Sequence, residues 1–132
     1  MKGYKLYGFG RIIDTETKIG NFPKVILVYI YNSFSSDKNQ IPELKKEDLL
    51  IPPLGTNQKP WTEGIFEKIK ESELKDDDIL KNHCFRDFRG KLFDEKGNEI
   101  QEEFEPIGEY GLQNHLTIND LICEAISTPN EN

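Results

Sequence analysis

The sequence predicts an α+β fold: a strongly curved antiparallel sheet or partial β-barrel with a C-terminal α-helix packed on it. Three observations carry this. Val25-Ile26-Leu27-Val28-Tyr29-Ile30-Tyr31 is the longest unbroken apolar run, and all of it except Leu27 is β-branched or aromatic. A strand without polar alternation has no solvent face, so this one should be central and covered on both sides. Ile118, Leu121, Ile122, Ala125 and Ile126 recur at the spacing of one helical face. Between these two elements lie short apolar segments divided by glycine, asparagine and aspartate, the punctuation of tight turns.

The first strand is expected over Tyr4–Ile13, with Asp14 to Lys18 as a polar turn leading out. Gly8 and Gly10 fall two apart in it, a spacing that suits a bend. This strand and the Val25–Tyr31 strand should pair as a long hairpin. Lys45–Leu50 can form a helical turn, which Pro52-Pro53 would stop, leaving Pro52 to Pro60 as an exposed connection. Trp61–Ile69 alternates weakly as a strand, with Trp61 as a core anchor. Asp76-Asp77-Asp78 reads as a solvated loop or a helix start with an Asp as N-cap, because adjacent carboxylates cannot all face one ion. Two short strands, Cys84–Arg89 and Lys91–Phe93, flank Gly90. Asp94–Asn98 is a turn with Gly97 at positive φ, and Glu99–Ile107 returns as a charge-blunted edge strand. Gly108 and Gly111 frame Tyr110 in another turn. Thr117 is the expected cap of the closing helix and Pro129 its stop.

With 132 residues the chain holds one core, so residues 1–127 form a single domain and 128–132 a frayed tail. The apolar run falls well short of the ~20 residues of a membrane span, and the N-terminus has no signal-like apolar region, so a cytoplasmic protein is expected. Cys84 and Cys123 make no disulfide framework and read as reduced core thiols.

The formal charge of −7 argues against binding nucleic acid directly. It is also unevenly placed. Residues 94 to 109 hold seven acids (Asp94, Glu95, Glu99, Glu102, Glu103, Glu105 and Glu109) against the single base Lys96, a net of −6, whereas residues 1 to 60 hold nine bases against six acids. A field of that sign attracts a cationic partner, which makes these seven acids the candidate partner-binding residues.

Chemistry has little to stand on. His83 and Cys84 are neighbours, and neighbours on a strand point to opposite faces. Pairings of Cys84 with His115, or Cys123 with His83, leave a small Cys/His hydrolase as an alternative. Two His and two Cys without paired spacing make a weak zinc signal, and Gly8-Phe9-Gly10 lacks the third glycine and following helix of a phosphate loop. No catalytic residue, cofactor or metal is expected. A second alternative is a β-barrel interaction module using Trp61 and neighbouring tyrosines.

Tyr7-Gly8-Phe9-Gly10-Arg11-Ile12-Ile13, the run Val25 to Tyr31, Pro60-Trp61-Thr62-Glu63-Gly64-Ile65-Phe66, and Gly108-Glu109-Tyr110-Gly111-Leu112 before a closing helix together resemble the immunity protein 26 family. The resemblance implies a small protein of a bacterial polymorphic toxin system, made beside a toxin and neutralising it by binding. It implies a toxin domain as partner and no shared catalytic motif. A toxin that attacks nucleic acid must carry a basic surface, which an acidic partner can occlude.

Overall fold

The computed structural model describes residues 6–127. Tyr4 and Lys5 of the expected first strand, Pro129 and the expected tail lie outside the described residues. The class is the expected α+β, drawn as two four-stranded sheets, neither closed, with a helix behind one of them. The first sheet contains β1 (Tyr7–Ile19), β2 (Phe22–Ser35), β3 (Leu49–Thr56) and β8 (Leu112–Gln113), in the order β1-β2-β3-β8. The second contains β4 (Cys84–Arg86), β5 (Leu92–Phe93), β6 (Glu99–Ile100) and β7 (Ile107–Glu109), in the order β6-β5-β4-β7. β3/β8 and β4/β7 are parallel and the other pairs antiparallel. A short helix, α1 (Lys59–Thr62), follows β3, and α2 (His115–Ser127) is the closing helix.

β2 is the strand the molecule is built on, and it is covered on both faces. Val28 and Ile30 join Ile51, Leu54 and Ile118 in one buried cluster, on the side of α2. Leu27, Tyr29 and Tyr31 join Ile13 and Phe85 in another, on the side of the second sheet. The two-residue period of a strand assigns alternate side chains of one apolar run to two separate cores.

β1 and β2 pair as a long hairpin, but Asp14 to Lys18 is no turn. β1 runs on to Ile19, and the reversal occurs at Gly20-Asn21, where Gly20 takes φ 58°. The polar residues are tolerated because this is an edge strand, and four register shifts bend the ribbon along its length. The bend expected near Gly8 is one of them, between Gly8 and Phe9. Gly10 has a different reason: a Cβ there would lie 2.8 Å from the Tyr29 carbonyl oxygen.

Pro52–Thr56 is likewise strand rather than exposed connection, with Pro53, Leu54, Gly55 and Thr56 buried. Val28 faces Leu54 and Ile30 faces Ile51, so the prolines occupy a register shift where the ladder needs no amide donor. No helical turn extends over Lys45–Leu50; its end already belongs to β3. Trp61–Ile69 is not a strand either. Pro60 sits in the first turn of α1, and half-buried Trp61 stacks edge-on against Phe66 at 5.1 Å beside the helix-side cluster.

α2 starts two residues before the expected cap. Asn114 is the residue that caps it: its side-chain oxygen accepts the Thr117 amide at 2.8 Å, and its carbonyl accepts the Ile118 amide. The apolar stripe faces the first sheet as expected for Ile118, Leu121, Ile122 and Ala125, but Ile126 is 56% exposed. Cys84 is buried, whereas Cys123 lies on the exposed side of α2, so it is not the core thiol its sequence neighbours imply.

Candidate partner-binding surface

The acidic residues sit on the second sheet and its turns. Two of its turns are built alike, from Asp-x-x-Gly-x. In the first, Asp87 Oδ1 accepts the amides of Arg89 and Lys91, both at 2.9 Å, and Gly90 takes φ 88°. In the second, Asp94 Oδ1 accepts the amides of Lys96 and Asn98, both at 2.9 Å, and Gly97 takes φ 80° as the sequence predicts. The carboxylate substitutes for turn hydrogen bonds and the glycine supplies the left-handed conformation. Burial alone would raise the Asp87 carboxyl, but the amides of Lys91 and Arg89 and nearby positive charges outweigh it and hold it below the usual carboxylate range.

These turns divide the seven acids. Asp94 is committed to its own turn. Glu95 turns inward, its carboxylate 3.6 Å from Nδ1 of His83, while its carbonyl accepts the Lys18 amide at 2.9 Å. Glu103 pairs with Arg86 at 2.6 Å, and Glu109 accepts from the Gln113 side chain at 3.3 Å. Glu99, Glu102 and Glu105 are exposed. The expected edge strand over Glu99–Ile107 is real only at Glu99–Ile100. β6 is the sheet's edge, Gln101–Pro106 is irregular, and Ile107 opens β7. A run with glutamate at four of its nine positions gives the ladder little to bury on either face, so pairing stops after two residues. Gly108 is not in a turn but inside β7, where a Cβ would collide with the Pro53 carbonyl of β3. Glycine is what lets the two sheets approach there.

Behind the acidic turns is a buried polar network. The Tyr29 hydroxyl accepts the Leu80 amide at 3.0 Å and lies 2.5 Å from Nε2 of His83. Burial holds the His83 imidazole below its ordinary pKa, with Glu95 opposing the shift, so the ring is neutral at pH 7. The neutral ring then carries its proton on Nδ1, toward Glu95, and accepts the Tyr29 proton at Nε2. The Tyr29 hydroxyl is itself pushed up to about 12 by burial. With both its nitrogens so engaged, His83 has none left for a thiol. Asp78, from the triad of acids, accepts the Lys75 amide at 2.9 Å and pairs with Arg11 at 3.1 Å; Lys75, not an Asp, is the N-cap of that 3-10 turn. Among the described residues, no group of three or more His, Cys, Asp or Glu could hold a metal ion.

One exposed residue is not marked as such by the strand pattern of the sequence. Phe88 was expected inside a strand reaching Arg89, but β4 ends at Arg86 and Phe88 stands on the following turn, 95% exposed. The signal was present in the repeated Asp-x-x-Gly spacing of Asp87–Gly90 and Asp94–Gly97. An open hollow of about 330 Å³ beside it is lined by Arg86, Asp87, Phe88, Ile107, Gly108 and Glu109.

Among known families, residues 3–92 match immunity protein 26. The chain belongs to that family. The match covers β1 to β3, α1 and β4 and ends in β5, so the hairpin built on β2 and the Phe88 turn are family territory, while residues 94–109 and α2 lie beyond the matched residues. No curated protein and no solved structure matches the chain. No helix among the described residues of this immunity protein 26 member is long and apolar enough to cross a membrane.

Proposed function

We propose that the chain neutralises a cognate bacterial toxin domain by binding it, with the acidic side of the second sheet turned to a basic toxin surface. Membership of the immunity protein 26 family carries the first half of this reading. The second half rests on where the charge lies: a net of −6 over residues 94–109, with Glu99, Glu102 and Glu105 exposed. Exposed carboxylates of one sign raise the encounter rate with an oppositely charged partner and disfavour wrong ones. Asp94 and Glu95, tied into the turn and toward His83, support that surface from behind rather than contact the toxin. Glu103 and Glu109 border it. The toxin's basic surface would suit an enzyme of nucleic acids, and action inside the producing cell would suit a protein that meets its toxin there.

Nothing in this role asks for catalysis. The test is co-expression with the toxin domain encoded beside the chain. Protection of the host, with a complex of the two that survives size-exclusion chromatography, is the expected outcome. Protection without a complex would point instead to an enzymatic antidote.

A further inference from the structure

Phe88 is the most exposed of the large apolar side chains among the described residues, and its turn does not need it. The equivalent position of the matching turn, Asp94–Asn98, holds Glu95. Nor is Phe88 a floppy tip. The hydrogen bonds that the Arg89 and Lys91 amides donate to the Asp87 carboxylate are joined by the Asp87 amide donating to the Lys91 carbonyl and the Gly90 amide donating to the Asp87 carbonyl. A side chain presented on such a turn loses little backbone freedom when it is bound. Arg89 lies over the ring, its guanidinium carbon 5.4 Å from the centroid. Exposed phenylalanine beside arginine is the composition of an interface anchor rather than of a solvated turn.

The adjoining hollow has a chemistry of its own. Ile107 gives it an apolar wall, the Phe88 ring an aromatic one, and the Glu109 carboxylate its negative charge; the Arg86 charge is tied to Glu103, and the Asp87 carboxylate to its turn and to Arg89. An aliphatic stem ending in a cation fits that combination, with stem against Ile107 and the Phe88 ring face that Arg89 leaves open, and charge toward Glu109. We propose that the Phe88 turn is the anchor point of the toxin interface, and that the hollow beside it takes an arginine or lysine side chain of the toxin domain. This rests on the toxin-binding reading above and adds to it a short-range contact, distinct from the long-range attraction of Glu99, Glu102 and Glu105.

The test is surface plasmon resonance of the full chain against the cognate toxin domain, with thermal melting of each variant. Phe88→Ala should raise the dissociation rate by roughly 10- to 100-fold with an unchanged melting temperature. Glu109→Gln should also act on dissociation, by a smaller factor of about 3 to 10. Phe22→Ala, at the exposed start of β2, should change neither rate more than about twofold. Wild-type binding that persists undiminished in both Phe88→Ala and Phe88→Glu would overturn the anchor and leave the toxin-binding function standing. A wild-type chain that does not bind the toxin at all would overturn both.

Discussion

The hydroxyl of Tyr29 meets Nε2 of His83 at 2.5 Å, and this contact joins the central strand of the first sheet to the residue immediately before β4 of the second. The same hydroxyl accepts the Leu80 amide, so one oxygen ties down both ends of the segment entering the second sheet. Tyr29→Phe removes a donor and an acceptor at once and leaves two buried groups without partners. Each is worth about 1–3 kcal/mol when buried and unsatisfied, so a loss on the order of 2–4 kcal/mol in urea unfolding is expected. A loss under about 0.5 kcal/mol would mean that water replaces the hydroxyl.

His83 gives stability a pH dependence. Its folded pKa is held below the ordinary value of 6.5 by burial, so below pH 6.5 the unfolded chain takes up a proton that the folded one refuses. The contribution is complete above about pH 6.5 and is lost as pH falls from there toward the folded value. The Asp78 and Asp87 carboxyls, held low in the folded chain, add their loss only below about pH 4. The urea midpoint should therefore fall between pH 7.5 and 5, and His83→Gln should flatten that slope. An equal slope in both proteins would assign it to other groups.

Packing of α2 divides sharply along its stripe. Ile118 is 0% exposed within the helix-side cluster, so Ile118→Ala should cost about 2–5 kcal/mol. Ile126→Ala, at 56% exposure, should stay within about 0.5 kcal/mol. Equal losses would mean that the helix sits differently on the sheet.

Gly108 tests the contact between the two sheets. A methyl group there meets the Pro53 carbonyl and crowds the Phe85 ring at 3.0 Å, and neither neighbour is a flexible side-chain end. Gly108→Ala should lower stability by about 1–3 kcal/mol. Gly111→Ala, where a Cβ would meet nothing within 4 Å, serves as its control.

How far the sequence speaks is plain from neighbouring residues. Val25 to Tyr31 announced a two-sided strand because seven apolar residues leave no other arrangement, and the structure places alternate members in opposite cores. Pro52-Pro53 misled, because a proline pair ends a helix or a regular strand, yet a register shift in β3 has no use for their missing amides. Asp14 to Lys18 misled because polarity marks an edge strand as readily as a turn. The acidic segment was legible as a charge and not as a shape: its net of −6 is in the residue list, but Glu95 turning inward depends on where His83 arrives from elsewhere in the chain. Phe88 went unread as a surface feature because a phenylalanine between Asp87 and Arg89 is as good a strand residue as a turn residue until Asp87 and Gly90 are seen to act together.

If a negative surface steers this chain onto a basic toxin, the association rate reads it directly. Glu99, Glu102 and Glu105 are the residues to reverse to lysine, since all three are exposed and Glu103 is held by Arg86. Surface plasmon resonance with the cognate toxin domain, at about 0.05 and 0.5 M salt, should show the wild-type on-rate falling as salt screens charges beyond about 10 Å. The triple reversal should slow association by about tenfold or more at low salt, lose most of its salt dependence, and leave dissociation nearly unchanged. An on-rate indifferent to both the reversal and the salt would rule out steering and leave these glutamates as a charged edge that keeps sheets of neighbouring molecules apart.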